Sequence, residues 1–253
     1  MIGKWDKWGA TVTRAVGKQS APVTHGAIVL CCLVFVLGPA AGLNPVYGTG
    51  DELLAAQQDY FARWGVIPAD LTGGAPRALA TPATALFVHG SWLHLLGNML
   101  FLYVFGAMAE ERMGRTGFAL FYLACGCLAL LGYAVANAGS EQTLVGASGA
   151  ISAVLGAFLY LFPTARVTSL FPFLFFLPLR FPAWVVLPFW VALQWLAAGR
   201  AEAGPTVAYL AHLIGFTLGL LYAWVRYGRT AGRPGRRARV KSPATAPEGD
   251  SQP

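Results

Sequence analysis

Six apolar runs divide this chain of 253 residues, and each is close to the length of a membrane-spanning helix. Such a helix needs about 20 mainly apolar residues. Apolar residues make up 56% of the chain and charged residues 11%, against about 25% charged in a typical soluble domain. We therefore predict an all-α membrane protein with six transmembrane helices, in the runs Ala27–Leu43, Leu86–Met108, Phe118–Ala138, Ala147–Phe162, Pro182–Ala198 and Thr206–Val225.

The basic residues predict how these spans are oriented. Fifteen of the 18 Lys and Arg residues fall on one side of the predicted membrane, and the exceptions are Arg63, Arg77 and Arg200. Basic residues concentrate on the cytoplasmic side of membrane proteins. We therefore expect a multi-pass protein of a bacterial plasma membrane with both termini in the cytoplasm. The net charge of +7 is consistent with this topology, and the basic residues would attract anionic membrane lipid. We expect no nucleic-acid partner.

The spans define the domain organisation. We predict a cytoplasmic N-terminal segment over residues 1–24, a helical domain over 25–227 and a disordered basic cytoplasmic tail over 228–253. Residues 44–85 form a long external loop that we expect to have some structure of its own. The apolar segment Val167–Leu179 is too short to span and contains proline, so we interpret it as a connector in the cytoplasmic interface.

The first span also resembles a secretory signal sequence. Basic residues precede an apolar core, and the small residues Pro39-Ala40-Ala41 follow it. The charged region is long for a signal, and the apolar run continues towards a full span. These two features favour a retained helix over a cleaved signal.

The cysteines do not indicate a metal site. They lie in pairs inside the first and third apolar runs, as Cys31, Cys32, Cys125 and Cys127. Cys125-Gly126-Cys127 lacks the spacing of zinc ligands. Buried cysteine usually acts as a small apolar residue, and we expect neither a metal nor a cofactor.

A serine and a histidine occur inside two different predicted spans. Ser148 begins the fourth span within Gly146-Ala-Ser-Gly149, and His212 lies within the sixth. An ionisable side chain at membrane depth is costly and usually has a function. A serine becomes a nucleophile only when a base takes its proton. The pair therefore points to hydrolysis inside the membrane.

Helical spacing predicts that these two spans pack against each other. Each carries a stripe of small residues, formed by Ser148, Ser152 and Gly156 on the fourth span and by Ala208, His212, Gly215 and Gly219 on the sixth. Small residues let membrane helices approach closely. Contact between the stripes would bring Ser148 beside His212.

The second span supplies further polar side chains. His94 and Asn98 are four residues apart and share a helix face, and His89 precedes them near the external end. A histidine and an amide can donate hydrogen bonds to an oxygen that gains negative charge. Each candidate also has a structural alternative, because Gly-Ala-Ser-Gly serves helix packing and a membrane histidine can bridge helices or relay protons.

These motifs closely resemble those of the rhomboid intramembrane serine proteases. The matching segments are His89-Gly-Ser-Trp-Leu-His94-Leu-Leu-Gly-Asn98, Gly146-Ala-Ser148-Gly149, and Ala211-His212-Leu-Ile-Gly215 with Gly219. Glu110 and Arg112 resemble a polar motif on the cytoplasmic side of the same family. The motifs occur in the same order, and the resemblance covers roughly residues 25–226.

The resemblance implies a six-helix rhomboid protease domain with a Ser–His dyad and no aspartate. Ser148 would be the nucleophile and His212 the general base, while His94, Asn98 and the Ser148 backbone N–H would hold the oxyanion. His89 would lie near the mouth of a water-filled cavity. The fifth helix would flank the route by which a substrate helix approaches. Substrates would be single-span transmembrane proteins.

One position departs from the family pattern. Some members carry an aromatic residue four positions after the serine, where it stacks on the base histidine, and this chain has Ser152 there. Ser152 could be a small packing residue, or its hydroxyl could position the imidazole.

The main alternative function is a catalytically silent rhomboid-like protein that binds membrane clients without cutting them. A channel or proton-coupled transporter would need polar residues across the whole bilayer, whereas here they cluster in one half.

Overall fold

The computed structural model of this chain is mostly helical and describes residues 20–171, 177–198 and 209–228. Its α-helices are α1 (Pro22–Leu37), α2 (Asp51–Trp64), α3 (Pro68–Thr72), α4 (Thr81–Thr84), α5 (Trp92–Phe101), α6 (Ala107–Met113), α7 (Arg115–Ala136), α8 (Ser148–Leu161), α9 (Ala183–Ala198) and α10 (Tyr209–Tyr227). A π-helical turn, Leu102–Gly106, joins α5 to α6, and two strands, β1 (Arg166–Phe171) and β2 (Leu177–Pro182), lie between α8 and α9. Most of the predicted N-terminal segment and nearly all of the basic tail lie outside the described residues.

Each of the six predicted spans corresponds to helical structure. In the part of the chain that the structure describes, two continuous stretches are long and apolar enough to cross a membrane, Trp92–Met113 and Arg115–Ala136. Pro22–Leu37, Ser148–Leu161 and Ala183–Leu196 are shorter apolar helices. The structure therefore confirms a mostly helical fold with several apolar helices, while the count of six spans stays a prediction.

The second predicted span begins later than its apolar run. A 3₁₀ turn, Ala85–Phe87, comes first, and α5 begins only at Trp92. Ser91 caps this helix, because its hydroxyl oxygen accepts a hydrogen bond from the His94 backbone N–H at 3.2 Å. His89 was predicted on the same helix as His94, and this prediction is wrong because His89 lies in the connection before it.

A buried carboxylate joins α1 to α6. Glu110 is 2% exposed, and its two oxygens accept hydrogen bonds from the backbone N–H groups of Val23 and Thr24 and from the Thr24 hydroxyl. These are unsatisfied donors at the beginning of α1, where a negative group is favourable. Two residues later, the Arg112 guanidinium lies 4.6 Å from the Tyr227 ring centroid and contacts the end of α10.

The backbones of α8 and α10 approach closely. A β-carbon at Gly156 would overlap the carbonyl oxygen of Phe216, and one at Gly219 would overlap the carbonyl oxygen of Ala153. Only glycine fits at either position while the helices keep this spacing. Close packing of small residues is how membrane helices associate without a hydrophobic driving force. The residues that begin α8 are thereby held against α10.

The region predicted as an external loop holds the chain segment that leads into α8. The predicted loop over residues 44–85 contains α2, α3 and α4. Val66 and Leu144 exchange two backbone hydrogen bonds of 2.9 and 2.8 Å, and the Ala69 N–H donates to the Ser140 carbonyl at 3.0 Å. These bonds fix the position of the segment that precedes Ser148.

The predicted connector between α8 and α9 contains a β-hairpin. β1 and β2 pair antiparallel, with Arg166 opposite Pro182 and Phe171 opposite Leu177. Proline lacks a backbone donor and is confined to edge strands, and both strands of a two-stranded hairpin are edges. Pairing satisfies backbone groups that an irregular apolar connector would leave without partners near lipid.

Candidate active site

The turn that leads into α8 lies against His94. Gly146 has a φ of 125°, a conformation that residues with a side chain rarely adopt. Its N–H donates to the Ala85 carbonyl at 2.8 Å, and a β-carbon here would lie 2.7 Å from Nε2 of His94. Glycine is thus required by both conformation and space, and Ser148 follows as the first residue of α8.

One cavity of about 990 Å³ brings together the four residues predicted as nucleophile, base and oxyanion donors. Ser148 from α8, His212 from α10, and His94 and Asn98 from α5 all line it. Gln194 and Trp190 from α9 and Tyr209 from α10 complete the part of the wall next to His212. Among the described residues, no three His, Cys, Asp or Glu side chains lie close enough together to hold a metal ion.

His94 and Asn98 present hydrogen-bond donors to this cavity. The Gly90 backbone N–H donates to Nδ1 of His94 at 3.5 Å. An imidazole nitrogen that accepts carries no proton, so this contact predicts that neutral His94 has its proton on Nε2. Asn98 is buried, and its Nδ2 has no hydrogen-bond partner among the described residues. Both donors lie next to the Gly146 turn and can serve an oxygen that gains negative charge there.

His212 has the opposite arrangement. Its Nδ1 lies 2.7 Å from Oε1 of Gln194, and an amide oxygen can only accept. The proton of neutral His212 is therefore on Nδ1, which leaves the Nε2 lone pair free to act as a base. The rings of Trp190 and Tyr209 flank the imidazole with centroid separations of 6.1 and 6.3 Å, at interplanar angles of 31° and 89°.

These contacts to His212 were not predicted from the sequence. Gln194 is the one amide in an otherwise apolar helix, and Trp190 precedes it by one helical turn on the same face. A polar residue inside a membrane span indicates a partner. That signal could have identified Gln194, although it does not say which residue the amide meets.

The structure distinguishes the two roles considered for Ser152. Its hydroxyl donates to the Ser148 carbonyl, one turn earlier, at 2.6 Å. Its Cβ would lie 3.3 Å from a β-carbon at Gly215 on α10. The Ser152 hydroxyl is thus engaged within its own helix, and the side chain packs at the α8–α10 contact.

His89 does not lie where the resemblance implies. It is 1% exposed and is not among the residues that line the cavity. Its Nδ1 is 3.3 Å from the Phe87 carbonyl oxygen, and its ring meets the His94 ring edge-on at 5.1 Å between centroids. The structure therefore places His89 behind His94, where it supports that ring, rather than at the cavity mouth.

Comparisons with known proteins agree with the motifs. A family model described as Rhomboid domain matches residues 76–229, which is more than half of the chain. Rhomboid protein 1, mitochondrial, of Saccharomyces cerevisiae is 37% identical over 142 residues, covering 54% of this chain and 39% of that protein. Rhomboid-like protein 11, chloroplastic, of Arabidopsis thaliana is 29% identical over 154 residues, covering 56% of this chain and 50% of that protein.

A bacterial protein is also similar over a shorter segment. YdcA of Bacillus subtilis, whose name marks it as a candidate rhomboid protease, is 31% identical over 78 residues, covering 31% of this chain and 39% of that protein. The chain thus matches half or less of the length of each of these curated relatives.

Proposed function

This chain belongs to the rhomboid family, and from that premise we propose that it is an intramembrane serine endopeptidase that cleaves the transmembrane helices of single-span membrane proteins. The observation that best supports this proposal is the shared cavity. Ser148, His212, His94 and Asn98 come from three helices and line the same space. A nucleophile, a base and two donors for an oxyanion are the groups that acyl transfer needs.

His212 moves the proton in each proposed step. Its Nε2 takes the hydroxyl proton of Ser148 as Oγ bonds to the carbonyl carbon of the substrate peptide. When the tetrahedral intermediate collapses, the C–N bond breaks and the imidazolium gives its proton to the leaving amine. His212 then takes a proton from water, whose oxygen bonds to the acyl carbon. Finally, Ser148 leaves and recovers its proton.

His94 and Asn98 act on the charge that develops in these steps. The carbonyl oxygen of the substrate becomes negative in both tetrahedral intermediates. Nε2–H of His94, the free amide of Asn98 and the backbone N–H of Ser148 are the proposed donors to it. Preorganised donors of this kind cost no reorganisation at the moment of reaction. The proposed mechanism uses side chains and backbone alone.

The length of α8 supports a site below the membrane surface. This helix has 14 residues, so it is about 21 Å long at ~1.5 Å per residue. The hydrocarbon core is about 30 Å thick, so a helix of this length cannot extend across it. We place Ser148, its first residue, below the external surface in a water-containing cavity, where backbone outside a helix is tolerated.

The proposal includes an orientation for the chain. In this proposal both termini lie in the cytoplasm of a bacterial cell and the residue 44–85 region lies outside, which the excess of basic residues on one side supports. The names of two relatives refer to a mitochondrion and a chloroplast, so the relatives do not support a bacterial location. The proposed orientation therefore rests on the basic residues of this chain alone. Reporter fusions before Gly26 and after Tyr227 should read cytoplasmic, and fusions within 51–80 external. An external C-terminal reporter would invert the proposed topology.

A fluorophosphonate probe tests the enzymatic proposal. Purified protein in detergent should be labelled at Ser148 and should cleave a single-span model substrate, and Ser148→Ala should do neither. A catalytically silent client-binding protein would instead bind the substrate while the native protein shows neither labelling nor cleavage. That outcome would replace the protease proposal with the binding alternative.

A further inference from the structure

The amide in the fifth apolar helix lies against the proposed base. Gln194 is partly buried in α9, whose remaining residues over Ala183–Ala198 are all apolar or aromatic. An amide in a membrane helix is unfavourable unless it is hydrogen-bonded. Its Oε1 is 2.7 Å from Nδ1 of His212, which supplies that partner.

We propose that Gln194 is the positioning residue of His212, fixing the imidazole in the tautomer whose Nε2 can accept the Ser148 proton. This inference rests on the proposed protease function. Rotation of the ring about its bond to the chain would break the Nδ1–H bond to Gln194. The hydrogen bond therefore selects both the tautomer and the ring orientation.

Trp190 strengthens this assignment because it lies one turn before Gln194 on α9. Its ring is tilted by 31° from the imidazole plane of His212 at 6.1 Å between centroids. One face of α9 thus offers the imidazole both a hydrogen-bond acceptor and an aromatic surface. Ser152 on α8 offers the imidazole no aromatic surface, and its hydroxyl hydrogen is bonded to the Ser148 carbonyl.

The chemistry of an amide acceptor differs from that of a carboxylate. A neutral amide holds the ring by a hydrogen bond and adds little to the stability of the charged imidazolium, whereas a carboxylate would stabilise that charge strongly. Changing Gln194 to Glu keeps an acceptor and adds charge, while changing it to Met keeps the length and removes the acceptor. These two variants separate positioning from electrostatics.

The experiment measures kcat and KM for cleavage of a model single-span substrate across pH. We expect Gln194→Met to lower kcat about tenfold with KM and melting temperature nearly unchanged. Gln194→Glu should recover activity at high pH, and its acidic limb should move to higher pH because the protonated imidazole is stabilised. The other titratable groups that line the cavity with His212 are His94 and Tyr209, and both variants retain them.

Thr217→Val is the matched control, because the Thr217 hydroxyl donates within α10 to the Leu213 carbonyl at 2.8 Å. It should leave kcat unchanged. A native kcat in Gln194→Met would overturn the proposal, and so would a raised KM with unchanged kcat, which would indicate a substrate contact.

Nitrogen-15 NMR of His212 separates this proposal from the protease proposal. Gln194→Met should lose the preference for a proton on Nδ1, whether or not the protein cleaves substrate. Native protein that is neither labelled nor active would contradict the protease function alone. An unchanged His212 tautomer in Gln194→Met would contradict the role of Gln194 alone.

Discussion

His94 and His212 line the same cavity from two different helices, yet their Nδ1 atoms have opposite hydrogen-bond partners. Nδ1 of His94 accepts from the Gly90 backbone N–H, which puts its proton on Nε2. Nδ1 of His212 faces the Gln194 carbonyl oxygen, which leaves Nε2 without a proton. One imidazole therefore presents a donor to the cavity and the other an acceptor.

The difference teaches that the role of a buried histidine is set by the hydrogen-bond partner of the ring nitrogen that does not take part in the reaction, here Nδ1. Both residues are histidines in apolar helices, and nothing in their own residue type separates a proposed base from a proposed oxyanion donor. The Gly90 backbone and the Gln194 amide make that distinction. Substitutions of the residues that line the cavity separate the two roles.

Removing either member of the dyad should have the largest effect. Ser148→Ala and His212→Ala should each lower cleavage of a model transmembrane substrate by at least about 10⁴-fold, and the double variant should add nothing. The two residues act in one proton transfer, so losing either disables it. His25→Ala is the control, because His25 lies near Tyr103 and not on the cavity wall. Near-native cleavage by either single variant would remove that residue from the mechanism.

Glutamine substitution at the two histidines should produce different losses. A glutamine side chain can donate a hydrogen bond through its amide, but it cannot accept the serine proton. His94→Gln should therefore keep measurable turnover, within about a hundredfold of native. His212→Gln should fall to background. Equal losses at both positions in a single-turnover assay would contradict the assigned roles.

Asn98→Ala should slow turnover by one to two orders of magnitude. A single donor to an oxyanion contributes about 3 kcal/mol, and Nδ2 of Asn98 is free for that task. Fluorophosphonate labelling of Ser148 should persist. Asn137→Ala is the matched control, since its Nδ2 donates to the Tyr133 carbonyl at the end of α7. An unchanged rate with a lower melting temperature would make Asn98 a packing residue instead.

Substitutions of Ser152 should have the smallest effect on activity. Ser152→Ala removes only the bond to the Ser148 carbonyl, so it should retain most activity. Ser152→Phe places a ring at the closely packed contact with Gly215 and should cost about 1–3 kcal/mol of stability, together with part of the activity. Thermal melting and initial rates measure both. Loss of cleavage in Ser152→Ala at normal melting temperature would place the hydroxyl in the catalytic apparatus.

The sequence predicted four side chains that line the cavity better than it predicted their hydrogen-bond partners. Ser148 and His212 follow from helical stripes and motifs, because small residues at four-residue spacing must share a face. The role of Gln194 was not predicted because it is a single polar residue in an apolar run. Periodicity on α9 cannot identify its partner on α10. The Nδ1 partners of both histidines depend on tertiary contacts, which no local pattern records.

Element boundaries show the same limit. The apolar run that begins at Leu86 continues without interruption into α5, so hydropathy alone placed His89 on the helix. The Ser91 cap decides where the helix begins, and it leaves His89 outside. The hairpin of β1 and β2 was not predicted, because its apolar residues and prolines suit an interfacial connector equally well.

The most direct test of the account measures the protonation of the two histidine rings. The chain has only four histidines, so ¹⁵N NMR of histidine-labelled protein near neutral pH, assigned with His94→Gln and His212→Gln, can resolve each tautomer. The account predicts a proton on Nε2 of His94 and on Nδ1 of His212. The same tautomer at both positions, or the reverse pair, would contradict it.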